Sequence, residues 1–166
     1  MLRRALLIAA AVVVLDHLTK AWIVLSFPLG FERDVIPGLF RLVHARNRGV
    51  AFSLFADGSA WTQGALLAVI VAVIALIIWQ LARGGMQGLA FWGLTLVLGG
   101  AVGNLIDRVV RGEVVDFLAV FIVSGGREHH WPAFNVADSA ISVGAGLVIL
   151  AEILTWARSR HVPVPR

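Results

Sequence analysis

Four long apolar segments constrain this sequence more than any other feature. They cover residues 5–26, 61–82, 89–106 and 136–156. A helix needs about 20 predominantly apolar residues to cross a bilayer, and each segment is close to that length. Of the 166 residues, 59% are hydrophobic and 14% are charged, whereas soluble domains have about 45–50% and about 25%. The sequence therefore excludes a soluble single-core protein and predicts one all-α membrane domain over residues 1–166, with four transmembrane helices.

Lysine and arginine in short flanking segments predict how such helices are oriented. One side of the predicted membrane carries six arginines on short segments without an acidic residue: Arg3, Arg4, Arg83, Arg158, Arg160 and Arg166. On the other side, seven arginines are spread over two long loops and mixed with acidic residues. The density of basic residues places both termini in the cytoplasm and both long loops outside. The first apolar segment continues to Leu25, so we expect an uncleaved helix and not a signal peptide.

The two outer loops differ in pattern. Residues 27–60 include VIPGLFRLVHARNRGVAFSLF, where apolar and polar residues alternate around Gly49. This alternation predicts a small extracytoplasmic β element whose strands turn at Gly49. The later stretch VVDFLAVFIV is apolar but too short to span, and we expect it to dip into the membrane interface and return.

Polar side chains inside or beside the spans collect at one level of the predicted membrane. An ionisable residue within a span costs at least about 2.5–3.5 kcal/mol on insertion scales, so each one requires a reason. With the predicted topology, three helices and two loops bring such residues to the outer leaflet: Asp16, Lys20, Asn47, Asn104, Arg108, Asp116, Asn135 and Asp138. This convergence predicts a functional site towards the outer leaflet.

Small residues indicate where helices approach closely. Gly99 with Gly103, and Ala140 with Gly144, have the four-residue spacing that permits close packing. This spacing favours contact between the third and fourth helices. The alternative is that glycines are simply frequent in membrane spans.

The available residues restrict the chemistry of such a site. The chain has no cysteine, which excludes thiolate metal sites and a cysteine nucleophile. Glu128-His129-His130 does not match the HExxH zinc motif and is read as a solvated loop. Two close carboxyls in apolar surroundings can share one proton and act as acid and base, and Asp116 with Asp138 fits this requirement. The alternative reading makes each an interfacial cap or an ion-pair partner, Asp138 for Arg108 or Arg111.

Other classes of function fit the sequence less well. A small four-span transporter or proton channel is the main alternative, because proton relays use buried carboxylates. However, the polar residues form no path across the membrane and no internal repeat is visible. The basic residues are scattered, which argues against nucleic-acid binding, and the carboxylate chemistry requires neither a metal nor a cofactor.

Five ordered motifs resemble the bacterial lipoprotein signal peptidase family (signal peptidase II). They lie between about residue 16 and residue 142 and read, in order, Asp16-His17-Leu18-Thr19-Lys20, Asn47-Arg48-Gly49-Val50-Ala51-Phe52, Gly103-Asn104-Leu105-Ile106-Asp107-Arg108, Val114-Val115-Asp116-Phe117 and Phe134-Asn135-Val136-Ala137-Asp138-Ser139. One departure is His17, where the family usually carries glutamine.

The resemblance implies an aspartic endopeptidase of the bacterial cytoplasmic (inner) membrane. Its substrates would be prolipoproteins that carry diacylglycerol on a cysteine, cleaved just before that cysteine. By matching motif, Asp116 and Asp138 are the catalytic pair. The family's supporting and substrate-binding positions fall on Asp16, Lys20, Asn47, Asn104, Arg108 and Asn135. Membrane lipids are expected partners, and the resemblance also implies binding of a globomycin-type inhibitor.

The residues suggest individual roles within this expectation. Asn104 and Asn135 are expected to donate hydrogen bonds that position a carboxylate or the substrate carbonyl. Arg108 is expected either to meet lipid phosphates or to support the fold. Asp16 and Lys20, four residues apart, are expected to form an ion pair on one helix face.

Overall fold

The computed structural model describes residues 1–49 and 60–160. Its four helices are α1 (Leu2–Ser26), α2 (Ala60–Arg83), α3 (Gly88–Arg111) and α4 (Val136–Ser159). Each contains 24 or 25 residues and is about 36 Å long at about 1.5 Å per residue. This length crosses a hydrocarbon core of about 30 Å, and all four helices are apolar enough to do so. The prediction of four membrane-spanning helices is confirmed.

Helix α3 is longer than the predicted span of residues 89–106. It continues to Arg111, because Arg111 pairs with Asp107 one turn earlier at 2.5 Å and helical hydrogen bonding continues to the end. The helix stops at Gly112, whose φ of 73° is left-handed, the conformation for which glycine is preferred at a helix end. The extension places Asp107 and Arg108 on α3 instead of in the following loop.

Among the described residues, four antiparallel strands form one sheet. Two of them lie between α1 and α2 in the sequence, and two lie between α3 and α4. They are β1 (Glu32–Ile36), β2 (Phe40–Asn47), β3 (Val114–Ser124) and β4 (Arg127–His130), and they are neighbours in that order. The β3–β4 hairpin turns on Gly125 and Gly126, both with positive φ, as a tight two-residue turn requires. The predicted β element is present, and it draws strands from both outer loops.

The stretch predicted to dip into the interface is strand β3. Its apolar residues alternate between two faces of the sheet, and β3 pairs with β2 on one side and β4 on the other. The solvated loop predicted around His129 and His130 is the exposed strand β4. A short apolar run suits either an interfacial segment or a strand. The prediction differs from the structure because the sequence does not show which strands pair with this run.

The turn predicted at Gly49 is not tested, because only the strand before it lies among the described residues. Strand β2 ends at Asn47, and its hairpin with β1 turns before β2, around Gly38. The strand predicted after Gly49 would fall on residues 50–59, outside the described residues. The motif residues Val50, Ala51 and Phe52 lie there too.

Helix α3 packs against all three other helices and most extensively against α4. Gly93 and Gly144 allow this contact, since a Cβ on Gly144 would lie 2.5 Å from the Gly93 carbonyl oxygen. Gly100 is equally tight against Ala137 of α4. The predicted α3–α4 approach is therefore present, but Gly99 packs against Val12 of α1 instead of against α4. Helices α2 and α4 make little direct contact.

Candidate active site

Asn135 begins α4 and contacts both candidate catalytic carboxylates. Its side-chain oxygen accepts from the backbone N–H of Asp138, and the Asp138 carboxylate accepts from the backbone N–H of Asn135. This reciprocal capping box satisfies two amides at the helix start. The Asn135 side-chain amide donates to Oδ1 of Asp116 at 2.8 Å. A single residue therefore fixes the relative position of the two aspartates.

Asp138 is both a cap and a member of the candidate pair. Oδ2 accepts from the Asn135 backbone at 3.3 Å, and Oδ1 accepts from Nδ2 of Asn104 at 2.7 Å. The alternative reading of Asp138 as an interfacial cap is thus part of its geometry. The alternative ion pair is not present, because Arg111 pairs with Asp107 and Arg108 bonds to backbone oxygens.

Asp116 lies on β3, opposite Ala45 of β2. It is almost fully buried and accepts from the side-chain amides of Asn135 and Asn47, the latter at 3.1 Å. The pKa of Asp116 is raised to about 7, first by burial and then by the nearby charge of Asp138, while the hydrogen bonds from Asn47 and Asn135 each lower it by less. A carboxyl in this state holds a proton near neutral pH.

A buried cluster of charged side chains lies next to Asp116 and Asp138 and supports them through Asn104. Lys20 of α1 is fully buried, and its ammonium lies 2.7 Å from carboxylate oxygens of both Asp16 and Asp107. It also donates to Oδ1 of Asn104 at 3.1 Å. Because Lys20 occupies the oxygen of the Asn104 amide, the amide nitrogen is turned towards Asp138.

Asp16 connects α1 to the start of α4. One of its oxygens binds Lys20, and the other accepts from the backbone N–H of Ala137 at 2.9 Å. Gly103 of α3 lies beside it, and a Cβ there would be 2.9 Å from the Asp16 carboxylate. The predicted Asp16–Lys20 ion pair is therefore present and also holds the end of α4 that carries Asp138.

Arg108 supports the site through the backbone. It is largely buried and donates to the carbonyl oxygens of Asn104 at 3.3 Å and Gly49 at 2.6 Å. These bonds connect α3 to the segment that follows Asn47. Arg108 was expected either to meet lipid phosphates or to support the fold. Its contacts with the described residues match the second role.

Asp107 belongs to this cluster and was absent from the expected site residues. It is almost fully buried and pairs with both Lys20 and Arg111. The signal that identifies it is its spacing, since it follows Asn104 by three residues on the same helix face. His17 lies beside the cluster, with Nδ1 3.0 Å from the Val13 carbonyl oxygen and Nε2 3.9 Å from Asp107.

Asp116 and Asp138 open into a cavity of about 710 Å³. Asn47, Asn104 and Arg108 also line it, so polar groups occupy one end. The remaining wall is mostly apolar and comes from three helices, including Val69, Ile70 and Val73 of α2, Val97 of α3, and Ile141 and Val143 of α4. Since α2 and α4 barely touch, the cavity occupies the space between them.

Comparisons with known proteins point to one family. The sequence model described as Signal peptidase (SPase) II matches residues 8–154. The lipoprotein signal peptidase of Cupriavidus necator is 48% identical over 145 residues, which cover 87% of this chain and 80% of the relative. That of Syntrophotalea carbinolica is 46% identical over 150 residues, covering 90% and 91%.

A solved structure is also similar. It is a bacterial membrane enzyme determined by the in meso method at 2.3 Å resolution, with a TM-score of 0.82 and 28% identity over 98% of this chain and 94% of the other. These matches do not favour the transporter or channel alternative. Because the family's sequence model covers nearly the whole chain, the chain belongs to the signal peptidase II family of peptidases.

Proposed function

We propose that this peptidase, which removes signal peptides from prolipoproteins, is an aspartic endopeptidase that uses Asp116 and Asp138 as its catalytic pair. One observation carries the proposal. Asn135 bonds to both carboxylates, and both line the same cavity. Two carboxyls held in this way, with one proton between them, can supply an acid and a base to the same peptide bond.

In the proposed mechanism, Asp116 holds the shared proton and Asp138 is the base. Asp138 takes a proton from water as the water oxygen bonds to the carbonyl carbon, and Asp116 protonates the carbonyl oxygen. When the tetrahedral intermediate collapses, the C–N bond breaks and Asp138 gives its proton to the departing nitrogen. Asp116 recovers its proton from the intermediate. The raised pKa of Asp116 supports this assignment of the acid.

The supporting residues keep the pair in position. Lys20 orients the Asn104 amide towards Asp138, and Asn47 donates to Asp116. Lys20 itself is neutralised by Asp16 and Asp107. Asn104 and Asn135 thus contribute by positioning the carboxylates of Asp138 and Asp116, to which they donate hydrogen bonds.

The substrate class follows from the cavity and the family. The apolar wall between α2 and α4 suits the acyl chains of a diacylglyceryl-modified cysteine and the apolar residues before it. We infer that cleavage falls just before this lipid-modified cysteine. A globomycin-type cyclic peptide is expected to occupy the same cavity and compete with substrate.

The proposed location is the bacterial cytoplasmic (inner) membrane, with both termini in the cytoplasm. In this orientation the sheet and the catalytic pair lie towards the outer leaflet, where the end of a signal peptide emerges. The density of basic residues at the opposite end of the helices supports the orientation. Membrane lipids surround the four apolar helices.

The experiment that tests the catalytic pair is a cleavage assay with a lipid-modified prolipoprotein. Asp116→Asn and Asp138→Asn should each lower kcat by at least about 10²–10⁴-fold, the contribution typical of an acid or base. Glu152→Gln removes an exposed carboxylate from the same helix as Asp138 and should leave turnover unchanged. Unlipidated substrate should not be cleaved. Normal turnover in both aspartate variants would disprove the assignment.

A further inference from the structure

A second cavity of about 670 Å³ lies on the sheet, and the mechanism above does not use it. Its walls are residues 29–32, which follow α1, and residues 130–133, which precede α4. Between them, β2 and β3 supply its base, including Val43, Ala45 and Ala119. We call this cavity the sheet groove. Its volume falls within the range of about 300–1,000 Å³ that is usual for ligand sites.

The sheet groove adjoins the catalytic cavity. Trp131, Pro132 and Ala133 line both. This shared segment is held against β3 by backbone hydrogen bonds, from Trp131 to Val120 at 2.9 Å and from Phe134 to Leu118 at 2.9 Å. A chain that leaves the two aspartates across this segment enters the groove directly.

The two cavities differ in the elements that form them. The catalytic cavity has walls from α2, α3 and α4, whereas none of the described residues that line the sheet groove belongs to a membrane-spanning helix. A signal peptide must lie within the membrane. The polypeptide on the other side of the scissile bond must therefore leave away from the helices, and the groove lies in that direction.

The groove is built to accept a backbone without selecting one charge. The small side chains of Ala45, Ala119 and Ala133 leave room for a polypeptide along the groove. Arg41, the one arginine among the described residues that line the groove, already donates to Asp34, Glu32 and Glu128 and stacks 4.5 Å from the centre of the Phe121 ring. Because these bonds hold the guanidinium, Arg41 forms a fixed wall.

We propose that the sheet groove is a substrate subsite that holds an extended stretch of the polypeptide after the lipid-modified cysteine. This proposal rests on the proposed peptidase function. An extended chain advances about 3.3 Å per residue, and we assign the groove to roughly the third to sixth residues of that stretch.

The kinetic test uses two lipid-modified substrates with the same signal peptide. One ends two residues after the cysteine, and the other continues for six more. The wild-type enzyme should show a several-fold lower KM for the longer substrate. Ala119→Leu fills the groove from the face of β3 opposite to Asp116 and should remove this difference without changing kcat for the short substrate. Val123→Leu enlarges an exposed residue of the same strand outside the groove and should preserve it.

Photo-crosslinking gives a second test that does not depend on the folding of Ala119→Leu. A crosslinking residue is placed fourth after the cysteine of a substrate bound to Asp138→Asn. Crosslinks to residues 29–32, 130–133 or β2 are expected. Equal KM values for the two substrates in the wild type, or crosslinks that avoid these segments, would overturn the subsite. Failure of the wild type to cleave even the short substrate would instead contradict the proposed function.

Discussion

Asn135 contacts both a helix end and the proposed catalytic pair, with different atoms of one side chain. Its oxygen caps α4, and its amide nitrogen bonds to Asp116. Serine is about as good a cap as asparagine, but it cannot replace the amide donor at the same reach. Substitution by serine can therefore separate the two roles.

Asn135→Ser should remain folded and lose activity. In the proposed mechanism Asp116 becomes charged as it protonates the carbonyl oxygen. Because a hydrogen bond to a charged group contributes about 1.5–3 kcal/mol, loss of the bond from Asn135 should reduce kcat about 10–100-fold. The measurement is kcat together with thermal unfolding in detergent. A large fall in Tm with normal kcat would mean that Asn135 is only a cap.

Asp116 predicts the pH dependence of cleavage. Its pKa is raised to about 7, first by burial and then by the charge of Asp138. The carboxyl therefore keeps its proton below about pH 7 and loses it above. If Asp116 is the acid, kcat/KM should fall as the pH rises through about 7.

The cause of the shift can be checked separately by infrared titration of the Asp116 carboxyl. In Asp138→Asn, the charge that raises the pKa is gone while the burial remains. The pKa of Asp116 should then fall but stay above the usual value of about 3.9. An unchanged pKa would show that the two carboxyls do not interact.

At the scale of elements, the site depends on how closely α3 and α4 approach. Asn104 is on α3 and Asp138 is on α4, and their hydrogen bond is 2.7 Å long. Any side chain that separates the helices should therefore weaken the support of the proposed catalytic pair. Two glycines of α4 allow a matched test.

Gly144→Ala should destabilise the protein, whereas Gly146→Ala should not. A Cβ at Gly144 would lie 2.5 Å from the Gly93 carbonyl oxygen, but a Cβ at Gly146 would meet nothing within 4 Å. Overpacking of this kind costs about 1–3 kcal/mol, and the helix separation should lower kcat as well. Unfolding and turnover of both variants are the measurements. Equal behaviour would mean that the interface relaxes without loss.

The sequence predicts the helices well because the bilayer imposes their length and apolar composition. The end of α3 was harder to predict from the sequence, because the polar residues Asp107 and Arg108 also suit the start of a loop. Only their partners on other elements show that they continue the helix. Strand β3 shows the same limit. Its ten-residue apolar run suits a strand or an interfacial segment equally, and only its pairing with β2 and β4 distinguishes them.

The site was predictable where polar residues carry a penalty for burial in a membrane. Asp16, Lys20, Asn104, Asn135 and the two candidate catalytic aspartates stood out for this reason, and the structure brings them together. Asp107 was missed because its ion pairs with Lys20 and Arg111 are visible only in the structure. The partner of Gly99 was assigned to the wrong helix, since spacing identifies a small face but not what packs on it.

At the scale of the whole molecule, the two ends of the helices differ in how their arginines are compensated. At the sheet end, Arg41, Arg46, Arg48 and Arg111 pair with carboxylates, whereas no ion pair among the described residues involves Arg33 or Arg127. At the other end, no ion pair with a carboxylate within residues 1–49 and 60–160 involves Arg3, Arg4, Arg83, Arg158 or Arg160. Two of them instead stack on tryptophans, Arg83 on Trp79 and Arg160 on Trp156. Uncompensated arginines beside interfacial tryptophans suit the anionic surface of the cytoplasmic leaflet.

This asymmetry predicts the orientation, and the chain is suited to a labelling test because it has no cysteine. Single cysteines replace exposed residues at the two ends, Ser124→Cys at the β3–β4 turn and Gln87→Cys between α2 and α3. In intact spheroplasts, a membrane-impermeant maleimide should label Ser124→Cys alone, and Gln87→Cys should react only after permeabilisation. The unsubstituted chain controls for background. Labelling of Gln87→Cys in intact cells would place the basic end outside. The proposed catalytic pair would then face the leaflet where no emerging signal-peptide junction could reach it.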